Sequence, residues 1–222
     1  MKAVLFGPPG SGKGTYAQYF KEKYCIPHLS IGDILREEVA KNSEIGRIVG
    51  KYVEKGELVP DDIVIEIVIN KLKNIDLKQG FILDGYPRTL NQAKALDNFL
   101  KIDVAIYIHA PLNIVIERLS YRYICPVCGR IYNLKYVPPK NDLKCDLDNS
   151  DLIRRTDDNH DVIKYRYELY LKESKPIIEY YRARKLLIEI DNSGSSYENI
   201  KLLEKILVEK SILKTKPCRE DL

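Results

Sequence analysis

Residues 7–15 read Gly7-Pro8-Pro9-Gly10-Ser11-Gly12-Lys13-Gly14-Thr15 and follow directly on the short run Lys2-Ala3-Val4-Leu5-Phe6. A helical pattern continues from Lys13 to Tyr24, so the segment reads as strand, glycine-rich turn and helix. Glycine permits backbone conformations closed to other residues. Consecutive N–H groups can therefore turn inward around a phosphate at a helix N-terminus, while Lys13 reaches the β and γ phosphates. A strand before the loop and a helix after it distinguish this from a merely glycine-rich turn.

Outward from the loop, short apolar runs alternate with helix-length segments, as in a parallel sheet flanked by helices. Strands are expected at Lys2–Phe6, Gly80–Leu83, Val104–His109 and Leu186–Ile190, with a weaker one at His28-Leu29, about five in all. Helices are expected over Lys13–Tyr24, Asp33–Lys41, Asp61–Lys73, Asn91–Leu100, Leu112–Arg122 and Asp161–Arg184. Asp61 and Asp62, after Pro60, place carboxylates at the positive end of a helix dipole. One stretch breaks the rhythm. From 123 to 160 the chain carries Pro138-Pro139, scattered Asp and Asn, and clustered cysteines, and it reads as an inserted small module. The mostly polar, proline-interrupted residues 214–222 read as a tail that need not be ordered.

The 222 residues are 45% hydrophobic and 31% charged, the composition of a globular protein with a sizeable core. A formal net charge of +4 is too small to argue for nucleic acid or a membrane as partner. No apolar run approaches the roughly 20 residues that span a bilayer, and the N-terminus lacks a signal-peptide pattern, so a cytoplasmic protein is expected. The cysteines, Cys25, Cys125, Cys128, Cys145 and Cys218, are odd in number, and three cluster. That fits metal binding in a reducing compartment better than a disulfide framework. Cys125-Pro126-Val127-Cys128 and Cys145-Asp146-Leu147-Asp148 form two knuckles, able to hold one ion tetrahedrally with three thiolates and a carboxylate.

In the strict phosphate-loop pattern, Ser or Thr follows the lysine directly; here Gly14 intervenes before Thr15. This form resembles nucleoside monophosphate kinases. Three further segments extend the resemblance to adenylate kinases: Leu29-Ser30-Ile31-Gly32-Asp33-Ile34-Leu35-Arg36, Gly56-Glu57-Leu58-Val59-Pro60, and Gly80-Phe81-Ile82-Leu83-Asp84-Gly85-Tyr86-Pro87-Arg88-Thr89-Leu90-Asn91-Gln92-Ala93. It covers residues 1 to about 210.

The resemblance implies an α/β fold of the P-loop NTPase type: a five-stranded parallel sheet flanked by helices, with an inserted AMP-binding helical region and a small zinc-binding lid. The implied division is core at 1–29, 60–122 and 161–210, AMP-binding region at 30–59, lid at 123–160 and tail at 211–222. It also implies reversible transfer of the γ-phosphate of MgATP to AMP, giving two ADP, by a cytoplasmic monomer with neither nucleic acid nor membrane as partner.

Carried over residue by residue, Gly10, Ser11, Gly12, Lys13, Gly14 and Thr15 hold ATP phosphates, and Arg36 and Arg88 fork onto the AMP phosphate. Ile31, Glu57, Leu58, Val59, Gly85 and Gln92 enclose AMP; the Gln92 amide suits adenine, where related pyrimidine monophosphate kinases show asparagine. The family usually carries threonine where this chain has Ile31, which offers apolar contact only. Asp84 holds Mg²⁺ through its waters. Arg118 and Arg122 face ATP, whereas Arg155 and Arg166 bridge toward AMP and the transferring group; converging guanidiniums suit a loose phosphoryl transition state. Asp157 and Asp158 orient them. Family Gly-Arg-Arg is Tyr121-Arg122-Tyr123 here, so one arginine is lost. Ile131 and Tyr132 cover the ATP adenine. The catalytic set is then Lys13, Asp84, Arg88, Arg122, Arg155 and Arg166. The lid branch with zinc sometimes replaces its fourth cysteine by aspartate, making the ligands Cys125, Cys128, Cys145 and Asp148, with Asp146 as the alternative; ligand identity alone also suits iron. The rival readings are another nucleoside monophosphate kinase and a zinc-knuckle nucleic-acid module, the latter opposed by the balanced charge.

Overall fold

A computed structural model describes residues 1–155, 158–213 and 218. The chain runs β1 (Lys2–Phe6), α1 (Lys13–Tyr24), β2 (His28–Ser30), α2 (Ile31–Ala40), α3 (Glu44–Lys55), α4 (Asp61–Lys73), β3 (Phe81–Asp84) and α5 (Leu90–Phe99). It continues through β4 (Val104–His109), α6 (Leu112–Ser120), β5 (Arg122–Ile124), β6 (Ile131–Asn133), α7 (His160–Ala183), β7 (Leu187–Asp191) and α8 (Ser196–Glu209).

Alternate residues of β1 feed two different cores, Val4 and Phe6 on one side and Ala3 and Leu5 on the other. A strand buried on both faces belongs inside a layered sheet. β1 lies at the centre of an all-parallel sheet in the order β2-β3-β1-β4-β7, with Val4 opposite Leu83 and Ala105. The five strands are those expected from the sequence. Helices α2 to α5 and α7 cover the face built on Val4, Phe6 and Leu83, while α1 and α8 cover the other. The loop after β1 therefore opens at the carboxyl edge of the sheet, between the neighbours β3 and β4, where ligands bind in open α/β folds.

Helix boundaries shift where capping decides them. α2 begins at Ile31, two residues before the expected Asp33, because the Ser30 hydroxyl accepts the Asp33 N–H at 3.3 Å. α6 stops at Ser120, short of the expected Arg122, since Arg122 enters the β5–β6 hairpin. α3 and α8 were not delimited from the sequence, yet both carry readable signals. Ser43 caps α3, and Gly56 ends it at φ 73°; Ser195 caps α8 through the N–H of Glu198.

The 123–160 insertion has its own antiparallel hairpin, tied to Ile153, and a small core of Cys125, Tyr132, Cys145 and Leu152 backed by Tyr123. This cluster is separate from the two cores of the sheet.

The expectation that cysteines would not form a disulfide is corrected: Cys25 and Cys218 are bonded, and the Cys218 N–H donates to the Lys23 carbonyl at 2.9 Å. Spacing could not reveal this, because 193 residues separate the two and only the packing of α8 beside α1 brings the tail back. A crosslink closing so long a loop removes entropy from the unfolded chain, typically worth 2–4 kcal/mol. Cys218→Ser is expected to lower the melting temperature by about 5–10 °C and leave turnover unchanged, since the bond sits at the end of α1 away from the glycine loop. Calorimetry beside an activity assay checks this, and an unaltered melting temperature would show that the bond carries no stability.

Candidate active site and metal centre

Gly10 and Gly12 take φ values of 71° and 102°, conformations that side chains disfavour, and they turn the loop so that α1 starts directly from it. Lys13 folds back, its Nζ donating to the carbonyls of Gly7 at 3.0 Å and Pro8 at 2.8 Å. Burial pushes the Lys13 ammonium down to about 8, with Asp84 opposing and Arg88, Arg166 and Arg122 adding to the depression. Those three guanidiniums are thus near enough to Lys13 to act on its charge. The Ser11 hydroxyl is buried with no hydrogen-bond partner among the described residues.

Asn192, at the end of β7, was missed from the sequence. It is wholly buried; its Nδ2 donates to the Ser11 carbonyl at 2.7 Å and its Oδ1 accepts from the Tyr16 hydroxyl at 2.9 Å. A Cβ on Gly12 would lie 2.6 Å from that Nδ2, so the glycine admits the clamp. Arg118 lies alongside, donating to the carbonyls of Ser11 at 3.5 Å and Gly194 at 3.2 Å. Thr15 is exposed at the mouth of the loop.

On the other side of Lys13, the expected acceptor residues line one cavity. Ile31, Glu57, Leu58, Val59, Gly85 and Gln92 form its walls, and Arg36, Arg88 and Arg166 border it. Gly85, at φ 76°, bends the chain after β3, and Arg88 is braced by donating from Nε to the Gly85 carbonyl at 3.0 Å. Arg155 reaches in from the segment that carries the cysteine cluster. Its guanidinium and that of Arg36 both meet the Asp33 carboxylate, the former at 3.2 Å. Burial would raise the Asp33 carboxyl, but Arg36, the Ser30 hydroxyl and Arg155 together hold it below its ordinary range. Asp33 was quoted from the sequence without a role. Its position supplies a built-in counter-charge for two phosphate-type arginines.

Arg122 is gripped in a fork by Asp158, at 2.8 and 2.5 Å, with the carboxylate nearly inaccessible, as expected for an orienting aspartate. Asp157 lies outside the described residues. Asp84 ends β3 beside the loop: its Oδ2 would be 3.6 Å from a Cβ on Gly14, and it meets His28 Nε2 at 3.3 Å. This part-buried oxygen donor next to the phosphate loop suits Mg²⁺ held through water. Ile131 reaches the loop as well, its Cδ1 3.4 Å from the same Gly14 position. The Tyr132 side chain points the other way. Strand alternation puts it in the lid core, where its hydroxyl donates to Cys145 Sγ at 3.4 Å. Any contact of Tyr132 with a nucleotide is therefore through its backbone.

In the lid, the ligand atoms of Cys125, Cys128, Cys145 and Asp148 lie within 4.8 Å of one another. Cys128 and Cys145 sulfurs are 3.5 Å apart, and an Asp148 oxygen is 3.3 Å from Cys125 Sγ. A tetrahedron with Zn–S bonds of 2.3 Å has edges of about 3.8 Å, so the donor set fits zinc. The backbone N–H groups of Val127 and Cys128 aim at Cys125 Sγ, at 3.3 and 3.2 Å, as in a metal-binding knuckle. Asp146 turns away, one oxygen accepting the Lys140 N–H at 2.8 Å, which favours Asp148 as the fourth ligand.

Comparison with known proteins identifies a family. The family model for adenylate kinase matches residues 5–186. Curated relatives named adenylate kinase include one from Clostridium perfringens, 43% identical over 93% of this chain and 98% of its own length. One from Archaeoglobus fulgidus is 45% identical over the same shares, and one from Thermosipho melanesiensis is 48% identical over 87% and 92%. With a family match over most of its length and relatives this similar end to end, the chain belongs to the adenylate kinase family.

Proposed function

We propose that the glycine loop holds ATP and the adjoining cavity holds AMP in the family's reaction, the reversible transfer of a phosphoryl group from MgATP to AMP giving two ADP. The observation that carries this assignment is the convergence of Arg36, Arg88 and Arg166 with Gln92 on one cavity beside Lys13. Two anionic nucleotides meeting end to end need this arrangement. Cationic groups must surround the transferring phosphoryl, while an amide stands at the far wall for the base.

In this scheme Lys13 and the loop amides fix the donor phosphates, and Arg36 and Arg88 hold the acceptor phosphate in line. Arg122, Arg155 and Arg166 neutralise charge on the transferring group. Arg118 and Ile131 lie over the donor. Mg²⁺ would be held through water by Asp84 and would supply further charge neutralisation on the donor phosphates. No strong base is required, because the loose transition state places most of its charge on the phosphoryl oxygens. Residues 30–59 and 123–160 act as covers on the core at 1–29, 60–122 and 161–210, excluding water when both nucleotides are in place. Cys125, Cys128, Cys145 and Asp148 would hold a structural zinc ion, which would tie the lid together. Among the described residues no helix is long and apolar enough to cross a membrane. The working form is taken to be a cytoplasmic monomer with no nucleic-acid or membrane partner.

The testing experiment is ADP formation from MgATP with AMP, GMP, CMP and UMP in turn. Fast turnover with AMP alone supports the assignment. Equal rates with CMP or UMP would overturn the base-reading role of Gln92, and no turnover with any acceptor would overturn the scheme.

The depressed Lys13 ammonium adds a pH-dependent expectation. Free protein above pH 8 holds Lys13 largely neutral, and arriving phosphates favour its charged form. Binding of ATP at pH 8.5 should therefore take up protons from solution. Calorimetry in buffers of different ionisation enthalpy should show this uptake for the wild type. It should be lost in Lys13→Arg, whose guanidinium stays charged. Uptake of the same size in both proteins would assign it to another group.

A further inference from the structure

The cavity wall carries an arrangement that bears on base choice. Gln92 is 1% exposed, and its amide is held at both ends. Nε2 donates to Asp61 Oδ1 at 2.7 Å, and Oε1 accepts the backbone N–H of Arg88 at 2.8 Å. The second Asp61 oxygen accepts from the Thr89 hydroxyl at 2.8 Å; that hydroxyl in turn caps α5 by accepting the Gln92 N–H at 3.1 Å. Asp61 is the first residue of α4 and Thr89 the cap of α5, so two helix starts pin one side chain.

A glutamine amide turned by 180° has nearly the same shape, and in an open site both orientations compete. Here they do not. A carboxylate accepts only and a backbone N–H donates only. The turned amide would set oxygen against oxygen at Asp61 and N–H against N–H at Arg88. The two bonds use one N–H and one lone pair, and amide chemistry leaves one of each for a ligand, in a fixed order.

That order has a consequence for purines. On its pairing edge adenine offers a ring acceptor at N1 beside an amino donor at C6. Hypoxanthine, of almost the same size, offers an N1–H donor beside an O6 acceptor, which is the reverse. We propose that Asp61 is a specificity-determining positioning residue: by fixing the orientation of the Gln92 amide it selects 6-aminopurine over 6-oxopurine nucleotides. The proposal rests on the reading that Gln92 faces the AMP base.

The test compares AMP and IMP as acceptors by kcat/KM. In Asp61→Asn the replacement amide can present oxygen or N–H to Gln92, so one of the two anchors is lost. The AMP-to-IMP ratio is expected to fall by about tenfold or more, the factor set by one fixed amide–base pair. KM for AMP rises and KM for IMP falls, with KM for ATP unchanged. A gain with IMP is the signature that a merely weakened fold cannot produce. Asp61→Ala also removes the Asp61 anchor, leaving only the Arg88 N–H, and is expected to lose discrimination in the same direction, so the test does not depend on one variant folding. A ratio unchanged in both overturns the proposal. Gln92→Leu separates the two levels. If it abolishes discrimination while the Asp61 variants retain it, Gln92 reads the base without help from Asp61. If Gln92→Leu also leaves the ratio unchanged, the reading of Gln92 itself fails, and the proposal with it.

Discussion

Lys13→Ala is expected to lower turnover by about 10³-fold or more while leaving the fold intact. Lys13 lies among the guanidiniums at the loop, and in the proposed scheme its ammonium would replace water around the donor phosphates in a site built before substrate arrives. Removing a single preorganised donor of this kind costs about 10²–10³ in rate, and a full charge in a buried setting costs more. Stability should be spared for a specific reason. Burial already disfavours the charged form, so the folded state gains little from this residue beyond two hydrogen bonds to loop carbonyls. Steady-state rates beside a thermal melt decide the matter. Near wild-type rates would remove the phosphate-loop assignment, and loss of the fold would show that the side chain is structural.

Cys128→Ser is expected to release the metal and unfold the lid. Of the four buried residues in the lid core, two are the cysteines Cys125 and Cys145, so half of the small core that would hold this module together belongs to the site itself. Structural zinc contributes roughly 10 kcal/mol or more of folding free energy in small modules of this kind. Zinc content should drop from about one per chain to well below one, and melting should begin at lower temperature with the lid. Turnover should fall with it, because Arg122 borders the module, Arg155 lies within it, and both depend on its frame. Asp148→Asn should act in the same direction, and Asp146→Asn should leave metal content unchanged, because its carboxylate is engaged by the Lys140 N–H. Metal analysis of the three variants checks the ligand set. Retention of zinc in Cys128→Ser would refute it.

The parts of the site legible in the sequence are those written in contiguous stretches. Glycine spacing around Lys13, the run from Asp84 to Gln92 and the paired cysteines each declare a local geometry, and the structure sets Lys13 near Asp84 and Arg88, lines one cavity with Arg88 and Gln92, and gathers the cysteines with Asp148. The parts that escaped depend on partners far away in the chain. Asn192 is an unremarkable polar residue until β7 sets it beside Ser11, 181 positions earlier. Asp33 and Asp61 read as helix-start carboxylates, and each does occupy a first turn. Their contacts with Arg155 and Gln92 arise only when separate segments pack. Tyr132 shows the limit in miniature: adjacent to Ile131 in sequence, it faces the opposite side of the strand. The Cys25–Cys218 bond escaped because no motif surrounds either cysteine.

That bond also changes how the molecule would respond to mechanical load. Among the described residues β7 is an edge strand paired with β4, and with α8 it is the last element along the chain. In an open chain a pull on the C-terminal end would peel α8 and then β7 away one after the other. With Cys218 joined to the end of α1, tension at the C-terminus passes straight across the sulfurs into the N-terminal part of the fold, and everything between residues 25 and 218 lies inside a closed ring that carries no force. The edge strand is thereby shielded from unzipping, and unfolding under tension must begin with the short N-terminal stretch, β1 and the phosphate loop included.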